Sequence, residues 1–112
     1  MIHEEICTYE VCKLAKEKGF DVPTDFCYEQ NGCLVRCGSI AAPTQSLLQR
    51  WLREERGYYT YPFFDNEALK WTYVVRERTG DMWIPLIGET PYYDKYEEAM
   101  EGALKFVLEN FV

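Results

Sequence analysis

The residues of this chain best suited to metal or nucleophilic chemistry are five cysteines, Cys7, Cys12, Cys27, Cys33 and Cys37, and one histidine, His3. Thiolates are good zinc ligands, and Cys33 and Cys37 stand four apart with His3 upstream. The successive spacings of five, fifteen, six and four residues do not form the paired knuckles of a structural zinc site. An odd number of cysteines and the lack of any C-x-x-C pair argue equally against a disulfide framework. Free cysteine packs as a small hydrophobe, so reduced structural thiols without a metal are the expectation. Cysteine–histidine catalysis needs a base beside the nucleophile, and the single histidine lies in the terminal segment. Phosphate loops, dinucleotide fingerprints and nucleophile elbows do not occur. No catalytic residue and no cofactor are therefore expected.

Three arginines, Arg50, Arg53 and Arg56, recur at three-residue spacing and form a small basic edge if that stretch is helical. Glu54 and Glu55 lie among them, so pairing on a solvated face is the simpler expectation. The most unusual feature is aromatic content, 16% of the chain with nine tyrosines. Tyr58, Tyr59, Tyr61, Phe63 and Phe64 crowd one segment, and Tyr92 and Tyr93 another. A strand with aromatics on both faces cannot bury all of them in a sheet covered on one side. Either an N-terminal hairpin and helix cover the second face, or an aromatic patch stays open to a partner. Tyr58, Tyr59, Tyr61, Phe64, Tyr92 and Tyr93, with Arg50 and Arg53, are the candidate interaction surface.

At 112 residues the chain is the size of one domain, 1–112, and 47% hydrophobic residues suffice for a packed core. No apolar run approaches the roughly 18 to 20 residues a bilayer span requires. The first residues carry neither a basic flank nor an apolar stretch, so a cytoplasmic protein is expected. Net charge is −7, from 19 acidic against 12 basic side chains. That balance disfavours phosphate backbones and anionic lipid, and favours solubility or a basic partner.

The periodicities predict an α+β chain in the order α-ββ-α-βββ-α, an antiparallel meander sheet packed by helices. Thr8 caps a helix to about Lys18, closed by Gly19 with Phe20 folding back on Ala15. Asn31-Gly32 predicts a hairpin over Phe26 to Cys37 with both turn residues at positive φ, and Gly38 to Ala42 reads as a connector. Pro43 is placed in the first turn of a second helix with the stripe Leu47, Leu48, Trp51, Leu52, ended by Gly57. Three strands follow, turned at Asp65-Asn66-Glu67 and Thr79-Gly80-Asp81, the last over Met82 to Ile87. Pro62 and Pro85 cannot donate to a ladder, which makes the outer two of these strands edges. Asp94 with Glu97 predicts a capping box for a final helix with Tyr96, Ala99, Met100, Ala103, Leu104, Val107 and Phe111 on its apolar side.

The helix, three strands and helix of residues 43 to 111 resemble the architecture of a double-stranded RNA-binding domain. That family holds phosphates with lysines at the start of its final helix. The matching stretch here, Asp94-Lys95-Tyr96-Glu97-Glu98, carries three acids and one lysine, so nucleic-acid binding is not expected. A second resemblance spans most of the chain. Ala42-Pro43-Thr44-Gln45-Ser46-Leu47-Leu48-Gln49-Arg50-Trp51-Leu52-Arg53-Glu54, Lys16-Glu17-Lys18-Gly19-Phe20-Asp21 and Tyr96-Glu97-Glu98-Ala99 are similar to segments of short uncharacterised proteins of gut anaerobic bacteria and their phages. This resemblance implies a phage or mobile-element origin and carries no chemistry. The function expected is a non-catalytic protein-interaction module, self-association included. The alternative is a small enzyme or ligand-binding domain with carboxylates or tyrosines in a cleft.

Overall fold

Local capping chemistry sets the first helix, α1 (Tyr9–Glu17), in the computed structural model, which describes residues 4–36, 38–86 and 91–112. The Thr8 hydroxyl accepts from Val11 N at 3.4 Å. At the other end Phe20 N donates to the Ala15 carbonyl and Gly19 N to that of Lys16, the paired closure that the Gly19-Phe20 sequence predicts. Val11, Cys12 and Ala15 form the buried side of this helix. His3, Cys37 and Ile87 lie outside the described residues.

The hairpin forms, with a different turn. β1 (Cys27–Tyr28) pairs antiparallel with β2 (Leu34–Val35), Cys27 opposite Val35 and Tyr28 opposite Leu34. Gly32 N donates to the Glu29 carbonyl and only Gly32, at φ 89°, takes positive φ in this turn. The Asn31 side chain accepts from Cys33 N at 3.0 Å instead of bending its own backbone. This is a three-residue loop whose glycine occupies the left-handed position. The stretch read as a connector contains a further strand, β3 (Ile40–Ala41), which pairs with the opposite side of β1 to give the order β2-β1-β3.

Thr44, not Pro43, opens α2 (Gln45–Trp51), its hydroxyl accepting from Leu47 N at 3.2 Å. Pro43 precedes the cap because the chain is held there from outside. Its carbonyl accepts from Cys7 N, and Gln45 N donates to the Glu5 carbonyl, so Ile6 and Thr44 bridge. The helix continues as a π-helical turn, Leu52–Arg56, and stops at Gly57.

β4 (Tyr58–Asp65), β5 (Lys70–Thr79) and β6 (Met82–Pro85) form a second antiparallel sheet in the order β4-β5-β6, which puts Pro62 and Pro85 on outer strands. The fold is thus α+β in roughly the predicted order, with two three-stranded sheets in place of one. α3 (Tyr96–Asn110) buries Ala99, Met100, Ala103, Leu104, Val107 and Leu108 against α1, α2, β4 and β5. Its predicted capping box is absent. Lys95 holds the cap position without a side-chain bond, and the Asp94 carboxylate instead meets Lys70 Nζ at 2.8 Å. Among the described residues, no helix is long and apolar enough to cross a membrane.

Candidate functional site

Strand parity decides where the aromatic residues go. On the face of β4–β5 turned toward α3, Tyr58 stacks on Phe111 with ring centroids 5.5 Å apart. Tyr73 meets Phe106 and Tyr93, and Trp71 sits between Phe64 and Tyr96 at 5.3 Å from each. Tyr58 and Tyr93 of the predicted surface are half-buried in an aromatic layer under the last helix, and Phe64 lies at its edge, 41% exposed. Tyr92 is half exposed at the end of this layer, its hydroxyl donating to Asp65 at 2.9 Å.

The opposite parity gives a second group. Tyr59 and Tyr61 lie side by side on β4, their centroids 4.9 Å apart, and Trp83 of β6 meets Tyr59 at 5.9 Å. In the strand register Arg76 stands opposite Tyr59 and Arg78 opposite Trp83, so both arginines project on this same side. Arg76 Nε donates to the Tyr61 hydroxyl at 3.2 Å. From the π-helical turn, the Arg53 guanidinium lies 5.6 Å from the Tyr59 ring centroid. All three rings are partly exposed, and Phe63, further along the same side of β4, is 42% exposed.

Of the sequence-based candidates, Tyr59, Tyr61 and Arg53 come together here; Arg50 does not. It pairs with Glu54 of the following π-helical turn at 3.2 Å. Arg56 is used inside the fold, donating to the Lys18 carbonyl at 2.7 Å and lying 5.1 Å from the Trp51 ring centroid. The three arginines of the supposed basic edge thus have three separate duties. Arg76, Arg78 and Trp83 escaped the sequence reading, although the alternation Trp71, Tyr73, Val75 against Val74, Arg76 already put Arg76 on the second face.

No protein-family model, curated protein or solved structure matches this chain.

The other polar groups are dispersed or engaged. An open cleft of about 390 Å³ is bounded by Glu4, Ile6, Asp25, Phe26, Thr44 and Leu47. Among the described residues its lining holds two carboxylates and no tyrosine. Cys7 and Cys12 are buried, Cys27 is half-buried and Cys33 exposed, all with free thiols. No group of three histidine, cysteine, aspartate or glutamate residues able to hold a metal ion occurs among the described residues.

The buried thiol and phenol groups make stability depend on alkaline pH. A hydrogen bond with the Cys12 side chain, then burial, pushes the Cys7 thiol well above its ordinary 9.0. Burial pushes the Tyr73 hydroxyl from 10.0 up to about 12. Both groups hold their proton more tightly folded than unfolded, so their contribution is fully present below the unfolded values and is lost progressively as pH rises from there through the raised folded values. Each retained proton steepens the loss by about 1.4 kcal/mol per pH unit within its window. The melting temperature is expected to fall progressively above pH 9. Between pH 9 and 10, below the onset for Tyr73, Cys7→Ala should flatten that fall. Equal slopes for the two proteins would show that Cys7 does not hold its proton in the folded chain.

Proposed function

We propose that this chain is a non-catalytic protein-interaction module of phage or mobile-element origin, and that the Tyr59–Tyr61–Trp83 side of the β4–β5–β6 sheet is where the partner docks. The observation that carries this reading is an aromatic cluster on the sheet side opposite α3. Clustered aromatic rings that stay partly exposed keep apolar area in contact with water, and such clusters serve as docking surfaces. Tyrosine and tryptophan supply most of the binding energy in many interfaces because each brings a large rigid area and a polar tip. An enzymatic reading needs a concave site with converging acids and tyrosines, whereas the cleft beside Glu4 and Asp25 brings two carboxylates and no tyrosine among the described residues.

Capture from lysate of native host or infected cells tests the reading when the wild-type chain is compared with a Tyr59→Ala/Trp83→Ala variant. Both substitutions fall on the side away from α3, so the fold is expected to survive them. A stoichiometric protein partner should be retained by the wild-type chain and reduced at least about tenfold by the variant, the usual weight of two interface anchors. Equal recovery by both proteins would move the interface elsewhere.

A further inference from the structure

The aromatic face of this acidic molecule carries arginines. The chain carries −7 overall, yet Arg53, Arg76 and Arg78 surround the Tyr59–Tyr61–Trp83 cluster. Among the described residues no carboxylate lies within ion-pair distance of Arg76 or Arg78, as is true of most basic side chains here; these two differ in flanking an aromatic cluster. Arg53 has only a distant one, Glu54 at 3.9 Å. Beside a partly exposed aromatic cluster, the two strand arginines offer an anion their Nη groups, since Arg76 Nε donates to the Tyr61 hydroxyl and Arg78 Nε to the Gly80 carbonyl.

Three occupants fit a basic, aromatic face, and the geometry separates them. A second copy docked face to face sets arginine against arginine, which is repulsive once water is excluded. A single-stranded nucleic acid needs ring faces free for base stacking. Tyr59, at the centre of the cluster, is already contacted by Arg53, Tyr61 and Trp83. A long phosphate chain would also run from this small basic patch onto the acidic remainder of the surface. A short acidic stretch of a protein avoids both obstacles, because it ends before the acidic surface and its apolar side chains pack on ring edges without needing a free ring face.

We infer that the partner engaged by this face presents a short acidic segment, its carboxylates on Arg76 and Arg78 and its apolar or aromatic side chains on Tyr59, Tyr61 and Trp83. The inference rests on the proposed function and adds the chemistry of the partner to it. The planar guanidinium matches a carboxylate with two parallel hydrogen bonds, which gives such a segment a fixed register along β5.

Nuclear magnetic resonance titration with three probes tests this: a random glutamate–tyrosine copolymer, a lysine–tyrosine copolymer, and an oligothymidine of about twelve nucleotides, a length within the usual single-strand site sizes. The glutamate–tyrosine copolymer should shift the Trp83 indole N–H and the Arg78 Nε–H, leaving signals of the α3 side in place. Its affinity should fall about tenfold between low and physiological salt, as screening of an arginine–carboxylate contact requires. Arg78→Glu should weaken binding by about tenfold or more, and Arg76→Gln by several-fold. Binding of the lysine copolymer at this face, Arg78-dependent binding of oligothymidine, or no shift with the glutamate copolymer would each overturn the inference. The proposed function has its own readout. Lysate capture that depends on Tyr59 and Trp83, with no response to the acidic copolymer, would leave the interface standing and remove the acidic partner.

Discussion

Leu104→Ala is expected to destabilise the protein by about 3 kcal/mol, the middle of the range for truncating a fully buried leucine. For a domain of this size that corresponds to a fall in melting temperature on the order of 10–20 °C. Leu104 is wholly buried in α3, the helix that touches α1, α2, β4 and β5. A cavity there is bounded by several rigid elements, and close-packed surroundings relax only partly into such a space. Alanine's slightly better helix propensity returns a few tenths of a kcal/mol at most. Met82→Ala, at a side chain 67% exposed, should stay within about 0.5 kcal/mol of the wild-type chain. Urea unfolding of the two variants gives the comparison. A loss below about 1 kcal/mol for Leu104→Ala would mean that α3 does not lie at the centre of the core. Because α3 also supports the β4–β5 sheet from behind, its loosening should weaken partner capture as well.

The local signals in the sequence were strong where one element could be specified by its own residues. Thr8 and the Gly19-Phe20 pair bound α1 on both sides because capping bonds form within a turn of the chain. The stripes of α2 and α3 were readable because a long period survives one or two exceptions. β3 was not readable. Two residues cannot show a period of two, and Ile40–Ala41 is a strand only because β1 offers its second edge. Asp94 was misread for a related reason. Its side chain had a good local use as a cap, but Lys70, 24 residues away, offers an ion pair that the sequence cannot weigh.

The candidate surface was half legible for the same physical reason. Crowded aromatics in the 58–64 segment marked the strand correctly, but the reading took residues of both parities into one surface. Tyr58 and Phe64 point to α3, whereas Tyr59 and Tyr61 point away. Which parity a helix covers is settled by how α3 returns across the sheet, a tertiary fact. The arginines that complete the face reach it through register. Tyr59 opposite Arg76 follows from the loop between Asp65 and Lys70, where Leu69 takes a φ of 56°. A shift of one residue in that pairing would send every arginine of β5 to the other side.

Gly102→Ala offers the second large effect, and its sign is the informative part. In most helix interiors the change from glycine to alanine gains about 1 kcal/mol, since glycine loses more backbone freedom on folding. Here a β-carbon on residue 102 would overlap the Tyr93 hydroxyl and stand 2.6 Å from the ring Cζ. The ring has little room to withdraw, because the Tyr93 backbone is held to β5 by two hydrogen bonds with Trp71, 2.7 and 2.8 Å. Overpacking costs roughly 1–3 kcal/mol before the propensity gain is set against it, and the depth of this overlap puts the cost in the upper part of that range, about 2–3 kcal/mol. Gly102→Ala should therefore destabilise the wild-type chain by about 1–2 kcal/mol. Tyr93→Ala removes the obstacle, and in that background the same glycine replacement should stabilise by about 1 kcal/mol. The coupling between the two sites, read from urea unfolding of the four proteins, is then about 2–3 kcal/mol. A stabilising Gly102→Ala in the presence of Tyr93 would mean that the ring yields easily, and that the helix does not depend on glycine for its approach to the aromatic layer.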